Sequence, residues 1–250
     1  MKWLFTIATS FVGLLAMAQA DNEIQVYASP TVGKNRTIFE LHSIHTGRGS
    51  KFLSDPKSVS WTTETLEITH GFGDRFEIGL YTFSGFDPDG SFHYQGNQIR
   101  PRYTFTGDEA PLGLSLSTEF GFFRPHRDSN FIWQGEIRPI IDLTAGNWYF
   151  SLNPNMDFVV SGPEKEIGFG PQFKTVYTIK NIVGIGAEYY SSYGPFKNFL
   201  PGQQQEHILG PAIDLYFHPD WEFNTAYFFG LTDGSNQRIF KLLLGKRIGK

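Results

Sequence analysis

One stretch of the sequence, residues 147–160, alternates apolar and polar side chains along almost its whole length. Its apolar side chains are Trp148, Phe150, Leu152, Met156, Phe158 and Val160, and its polar ones are Asn147, Tyr149, Ser151, Asn153, Asn155 and Asp157. Because the side chains of a strand point alternately to its two faces, this pattern predicts a strand with one apolar and one polar side. The stretch is longer than an average globular strand and matches a strand that crosses a bilayer at a tilt. It therefore favours a membrane-spanning β-barrel.

Alternation and turn-forming residues together predict twelve strands along the chain. They cover residues 36–46, 59–70, 75–85, 92–106, 112–123, 130–143, 147–160, 165–179, 182–193, 205–217, 221–231 and 237–248. The connections after even-numbered strands, such as Gly71–Asp74 and Thr144–Gly146, are short and rich in turn formers, whereas the others are mostly longer and more polar. This sorting of connections is typical of outer-membrane barrels, and an even number of strands returns both termini to one end.

The faces of the predicted strands bear on the class of barrel. Phe131, Trp133 and Ile137 alternate with polar residues that include Glu136 and Arg138. A soluble β-sandwich or a lipocalin-like barrel would turn the apolar face inward, and alternation alone does not decide the direction. Strand length, aromatic residues at strand ends and the sorting of loops favour an outward apolar face. We therefore predict an all-β fold, a transmembrane antiparallel up-and-down barrel of about 12 strands, formed as one domain by residues 36–250.

The first twenty residues have the pattern of a cleaved secretory signal peptide, residues 1–20. A short basic start precedes an apolar run over residues 4–15, and Ala18-Gln19-Ala20 is a small-residue cleavage site. We expect cleavage near Ala20, an N-terminal periplasmic segment over residues 21–35, and a final location in the outer membrane of a Gram-negative bacterium. The expected partners are the export machinery, the barrel assembly machinery and outer-membrane lipid. The chain has no cysteine, which excludes disulfides and thiolate metal sites.

Two irregularities interrupt the predicted strands. Five prolines lie on the apolar face: Pro101, Pro139, Pro154, Pro171 and Pro211. Proline cannot donate to the hydrogen-bond ladder, so each predicts either a strand end or a bulge, and the sharper hypothesis is a belt of bulges at similar depth. Strand two has a different conflict, because Glu64 shares its face with Leu66 and Ile68. A bulge near Thr62-Thr63, or emergence from the membrane there, would resolve it.

The polar face of the predicted barrel carries charges of both signs. The candidate filter is a cluster on strands four to six: Arg100, Arg102, Glu119, Glu136, Arg138 and Asp142. Other side chains expected to face the lumen are Glu67, Arg75, Glu77, Lys174, Glu188, Asp214 and Lys241. These charges are expected to pair across neighbouring strands, either as a lattice that braces a narrow wall or as a filter for a polar or charged solute. A lining of both signs predicts little preference between anions and cations.

The function expected from these features is a passive channel or transporter for a small solute. The alternative is a structural or surface-interaction barrel with an occluded lumen. An enzyme is not expected, because His42-Ser43-Ile44-His45 is the one close grouping of histidine and serine and is poorly specific for a hydrolase. No cofactor or metal is expected, because no histidine pair joins a carboxylate at a typical ligand spacing. With 21 basic and 25 acidic residues and no basic stripe, the chain is not expected to bind nucleic acid.

The hairpin from Leu66 to Leu80 contains the residues Glu67, Gly71, Asp74-Arg75, Glu77 and Gly79. In this spacing it resembles the E-x-x-x-G-x-x-D-R-x-E-x-G hairpin of outer-membrane barrels named for the meta-pathway of phenol degradation. The similar layout covers most of the chain after residue 20. The resemblance implies a channel-like or transporter-like barrel, and it carries over no catalytic residue.

Overall fold

The structure, a computed structural model, describes residues 24–53, 60–107, 110–124, 127, 129–161 and 166–249. Twelve strands of this part of the chain form one closed antiparallel barrel, in which each strand pairs with its sequence neighbours and β1 closes on β12. They are β1 (Thr37–Arg48), β2 (Trp61–Gly71), β3 (Phe76–Phe86), β4 (Phe92–Thr104), β5 (Leu112–Phe123), β6 (Ile132–Ala145), β7 (Trp148–Val159), β8 (Ile167–Ile179), β9 (Val183–Ser192), β10 (Glu206–Leu215), β11 (Trp221–Gly230) and β12 (Arg238–Ile248). The predicted fold is confirmed, and each predicted strand boundary lies within two residues of the observed one. The expected signal peptide and its cleavage site lie outside the described residues.

The connections between strands differ at the two ends of the barrel. Gly146 and Asn147 alone join β6 to β7, whereas residues 193–205, with the short 3₁₀-helix Gly202–Gln204, join β9 to β10. We call these two ends the short-turn end and the long-loop end. β1 begins and β12 finishes at the short-turn end, as an even number of strands requires. No helix among the described residues is long and apolar enough to span a membrane.

The outer surface of the barrel is apolar on every strand, which confirms the predicted direction of the faces. Leu41, Leu80 and Leu152 are examples of outward side chains that are 40% or more exposed. Exposed aromatic side chains gather towards both ends of the strands. At the short-turn end they are Phe72, Phe76, Tyr103, Phe105, Trp148, Tyr177, Tyr216, Phe217 and Trp221, and at the long-loop end Phe86, Phe92, Phe131, Trp133, Phe196, Phe199 and Phe229. An apolar band between two girdles of aromatic side chains is the outer surface of a barrel that spans a bilayer.

The five strand prolines mark gaps in the ladder. The strands run through all five, so none of these prolines ends a strand. Pro139 and Pro154 lie opposite each other, and the pairing of β6 with β7 stops at Ile137 and resumes at Ile141 in unchanged register. Pro139 still pairs with Leu116 of β5, and Pro154 still pairs with Pro171 of β8. The missing N–H groups therefore remove ladder bonds between β6 and β7 without adding a residue.

The predicted belt of bulges is wrong at four of the five prolines. Pairing stays in register past Pro101 and Pro211, as it does past Pro139 and Pro154. Near Pro171 the register of β8 with β9 does change. The pairing of residues 173–179 with β9 would place Gly168 opposite Gly194, but Gly168 forms a bridge with Pro195 instead.

Glu64 lies on the outer face of β2 near the long-loop end. The Ser43 hydroxyl donates a hydrogen bond to its carboxylate at 2.8 Å. Pairing of β2 with both β1 and β3 is continuous through Thr62 and Thr63. The bulge suggested for this strand is therefore wrong, and a hydroxyl partner accommodates the outward carboxylate.

Candidate functional site in the barrel lumen

Most of the charged residues that the sequence places on the inner face are buried inside the barrel. Two groups form on opposite parts of the wall. One contains Glu67, Glu77, Arg100, Arg102, Glu119, Glu136, Arg138 and Asp142, and the other contains Lys174, Glu188, Asp214 and Lys241. Arg75 is different, because it is exposed in the turn before β3 begins at Phe76. The expectation that Arg75 faces the lumen is therefore wrong, since the inward alternation of β3 starts only after the turn.

Residues 24–33, which we call the lumen segment, occupy the interior of the barrel. At the short-turn end the chain reverses into β1 through Gly33 and Asn35, both with positive φ (89° and 59°). The Asn35 amide donates to the Gly71 carbonyl at 2.8 Å, which fixes the reversal on the end of β2. The prediction of a periplasmic location for residues 21–35 is wrong for residues 24–33, because these lie against the inner wall.

Tyr27 lies at the centre of the first charged group. Its ring is 4.4 Å from the guanidinium carbon of Arg138, 4.9 Å from that of Arg100 and 5.8 Å from that of Arg102. Its hydroxyl is 2.6 Å from the hydroxyl of Tyr81. Cations favour the faces of aromatic rings, and more strongly so when water is excluded. Tyr27 therefore joins three arginines that belong to two separate strands, β4 and β6.

The backbone of the lumen segment is bound along its length by inward polar side chains. The Ser29 amide and hydroxyl donate to the two oxygens of Asp142 at 2.6 and 2.9 Å. Arg102 donates to the carbonyls of Ala28 and Pro30, both at 2.8 Å. The Asn153 side-chain oxygen accepts from the Tyr27 amide at 2.7 Å. Side chains of the wall thus supply the hydrogen bonds to the segment's backbone that a neighbouring strand would otherwise supply.

The other side of the lumen segment is apolar and meets an apolar part of the wall. Ile24 and Val26 are each 7% exposed. They pack in a cluster formed by inward side chains of β1 and of β9 to β12: Ile44, Tyr190, Ile208, Ala212, Ala226, Phe228 and Ile239. Alternate residues of the extended segment therefore face the apolar wall and the charged wall. We call the seven wall residues the apolar inner wall.

The charged side chains of the wall neutralise one another at short range. Arg100 donates to Glu67 at 2.5 Å and to Glu77 at 3.0 Å. Arg138 forms an ion pair with Glu136 on the same strand, with Glu119 3.9 Å away on β5. In the second group Lys174 lies 2.8 Å from Asp214 and 3.2 Å from Glu188, and Lys241 also contacts Glu188. These pairs form a lattice across neighbouring strands; a role as a filter stays a prediction.

The grouping His42-Ser43-Ile44-His45 does not form a hydrolase site. His42 points inward and is 2% exposed, whereas Ser43 points outward to Glu64. His45 is exposed on the outer face, with Thr62 at 3.0 Å. Consecutive residues of a strand face opposite ways, so the histidine that reaches the lumen cannot share a site with the adjacent serine.

The lumen segment and the apolar inner wall are the features that sequence reasoning missed. A signal for the first is present, since Ile24 and Val26 alternate with Gln25 and Tyr27. A signal for the second is β12, in which Ile239 and Leu243 are apolar on the face that also carries Lys241. An inner face with apolar residues needs something apolar inside the barrel to cover it.

Comparison with known proteins identifies the fold. No family model matches the chain, and no curated protein matches it. An outer membrane channel from Pseudomonas putida F1 has a TM-score of 0.69 at 10% identity, over 90% of this chain and 100% of that one. The NanC porin has a TM-score of 0.53 at 10% identity, over 85% of this chain and 99% of that one. The KdgM porin, solved in complex with disordered oligogalacturonate, has a TM-score of 0.52 at 12% identity, over 86% and 99%.

These comparisons do not test the resemblance to the meta-pathway family, which stays a prediction. At such low identities the likeness concerns architecture alone. The chain has the fold of outer-membrane channel barrels.

Proposed function

We propose that this protein is a passive channel or transporter of the outer membrane, with a lumen that its own residues 24–33 narrow. The observation that carries the proposal is a closed barrel with an apolar exterior and a polar, charged interior. A polar and charged interior suits a path for a polar solute. The likeness to channel and porin barrels supports the same function.

The expected solute is a small polar or charged molecule. The lumen segment takes up space between the first charged group and the apolar inner wall, so a large solute cannot pass while the segment stays in place. Because ion pairs neutralise most of the wall, selectivity between ions should be weak. Acidic residues outnumber basic ones among the buried side chains, so the remaining preference should be for cations.

The second candidate function is a structural or surface-interaction barrel with a closed lumen. The observation that favours it is the lumen segment itself, which is held from both sides. A barrel that carries a permanently docked segment would conduct poorly or not at all.

Conductance of the purified, folded protein in planar bilayers tests the proposal. We expect small, stable openings from the unmodified protein and larger ones from Tyr27→Ala, which loosens the lumen segment. Small openings in the first and larger ones in the second support the channel. No openings in either protein would remove the channel function and favour the closed barrel.

The route to the membrane is part of the proposal. We propose export through a signal peptide cleaved near Ala20, followed by insertion into the outer membrane by the barrel assembly machinery. N-terminal sequencing of protein recovered from the outer-membrane fraction tests this route. A first residue far from Asp21, or recovery in the soluble fraction, would contradict it.

A further inference from the structure

Three potential metal ligands meet on the inner faces of β1 and β2. Glu40 is paired directly with Glu67 across the two strands, and His42 is two residues further along β1 on the same face. The three side chains are 6%, 0% and 2% exposed, in the order Glu40, Glu67, His42. One ligand atom from each lies within 4.8 Å of the other two. This grouping depends on the register of β1 with β2, which the sequence does not reveal.

Two atoms of this grouping have no hydrogen-bond partner. They are Nε2 of His42 and Oε2 of Glu67, both buried, and they lie 3.5 Å apart. This separation is long for a hydrogen bond. It is close to the roughly 3.3 Å that separates two ligand atoms on one tetrahedral zinc ion, with metal–ligand bonds of about 2.0–2.1 Å. Buried polar atoms are nearly always satisfied, so two such atoms this close together, each without a hydrogen bond, point to a bound group.

The surrounding charges favour a cation beside these three side chains. Two carboxylates directly opposite each other repel. Arg100 binds Oε1 of Glu67 at 2.5 Å and leaves Oε2 turned towards His42. None of the ion pairs among the described residues includes Glu40, and the nearby Arg247 is already paired with Glu222 at 2.5 Å. The Glu40 carboxylate therefore lies in the wall without a counter-ion of its own.

We propose that Glu40, His42 and Glu67 bind a divalent transition-metal ion of the zinc class. One imidazole nitrogen and two carboxylates are donors that suit zinc, whereas calcium and magnesium prefer oxygen alone. Arg100 holds the far oxygen of Glu67 and so fixes the orientation of that ligand from outside the metal. The ion links β1 to β2 on the inner wall, beside the pairing of β1 with β12 that closes the barrel. This site is independent of the proposed channel function.

Zinc titration of the full-length protein tests the proposal. The protein is refolded without a histidine tag in metal-free buffer, and zinc binding is measured by competition with a chromophoric chelator. We expect one zinc ion per chain, and a visible absorption spectrum of a nitrogen–oxygen site when cobalt replaces zinc. His42→Gln and Glu40→Gln should each weaken binding at least 100-fold.

The matched control is His45→Gln, the same change three residues away on the outer face, which should leave zinc binding unchanged. Zinc should also raise the temperature at which the folded band is lost on a gel in the unmodified protein and not in His42→Gln. If His42→Gln does not fold, Glu40→Gln gives the same comparison. Absence of stoichiometric zinc binding by the folded protein, or binding kept by both variants, would overturn the proposal.

Discussion

Replacement of Tyr27 by alanine should release the lumen segment from the wall. The Tyr27 ring is 4% exposed and lies within 6 Å of three guanidinium carbons. Truncation of a buried aromatic side chain costs about 3–5 kcal/mol. Since 1.4 kcal/mol corresponds to about tenfold, the docking equilibrium of the segment should fall roughly 100- to 3,000-fold. Tyr27→Phe removes only the bond to the Tyr81 hydroxyl, about 1 kcal/mol, and should lower it about fivefold.

A single introduced thiol reports the docking equilibrium. The protein has no cysteine, and Val26 is 7% exposed against the apolar inner wall, so Val26→Cys supplies a buried probe of similar size. A hydrophilic maleimide reacts with this thiol only after the segment leaves the wall. Where docking is fast relative to labelling, the labelling rate follows the undocked fraction. Tyr27→Ala should therefore raise the labelling rate by the factors above, and Tyr27→Phe by a few-fold.

Tyr177→Ala is the control for this experiment. It makes the same change at a tyrosine that is 39% exposed on the outer surface, and it should leave the labelling rate unchanged. Equal labelling rates in Val26→Cys with and without Tyr27→Ala would refute the reasoning, because the three arginines would then not hold the segment. A high labelling rate in Val26→Cys alone would show that the segment is not docked.

Three further substitutions have defined outcomes. Asp142→Asn weakens both bonds from Ser29, and at a loss of about 1.5 kcal/mol the Val26→Cys labelling rate should rise about tenfold. Arg100→Met leaves the Glu67 carboxylate without its arginine partner and should lower the free energy of unfolding by about 3–5 kcal/mol. The folded barrel's band on a gel should then be lost at a lower temperature, and adding Glu67→Gln should restore part of the difference. Leu152→Arg puts a charge on the outer surface near the middle of β7 and should lower the free energy of unfolding by about 2–4 kcal/mol. Urea unfolding of the protein in liposomes measures this change, and an unchanged midpoint would argue against a bilayer around this surface.

The barrel itself could be predicted from local patterns. β5 runs from Leu112 to Phe123, as expected, because alternation and flanking turns determine both of its ends. The direction of the faces followed from strand length and from the sorting of loops. Each of these signals is contained within one strand or one connection, so no knowledge of long-range contacts was needed.

The contents of the lumen could not be predicted in the same way. The Ser29 side chain meets Asp142, 113 residues away, and nothing in the local sequence selects that partner. The lumen segment reads as an extended stretch before the first strand until both walls that it touches are known. Glu40 and Glu67 likewise become neighbours only through the register of β1 with β2.

Predictions from local sequence were also wrong at single positions within or beside strands. At Pro139 the missing N–H group predicts a disturbance, and the structure accommodates it by a gap opposite Pro154, with no inserted residue. At Arg75 the turn lasts one residue longer than the alternation of β3 suggests. Both errors concern the pairing or the first residue of a strand, and neither concerns whether the strand exists.

The position of the lumen segment constrains the order of folding. Its partners Asp142, Ser151 and Asn153 belong to β6 and β7, more than a hundred residues further along the chain. Its apolar partners on β10 to β12 lie further still. Contacts of such large sequence separation form late, since a long loop must close before they contribute. We therefore expect the segment to dock fully only after β10 to β12 have joined the wall, so that a newly closed barrel is open before the segment fills it.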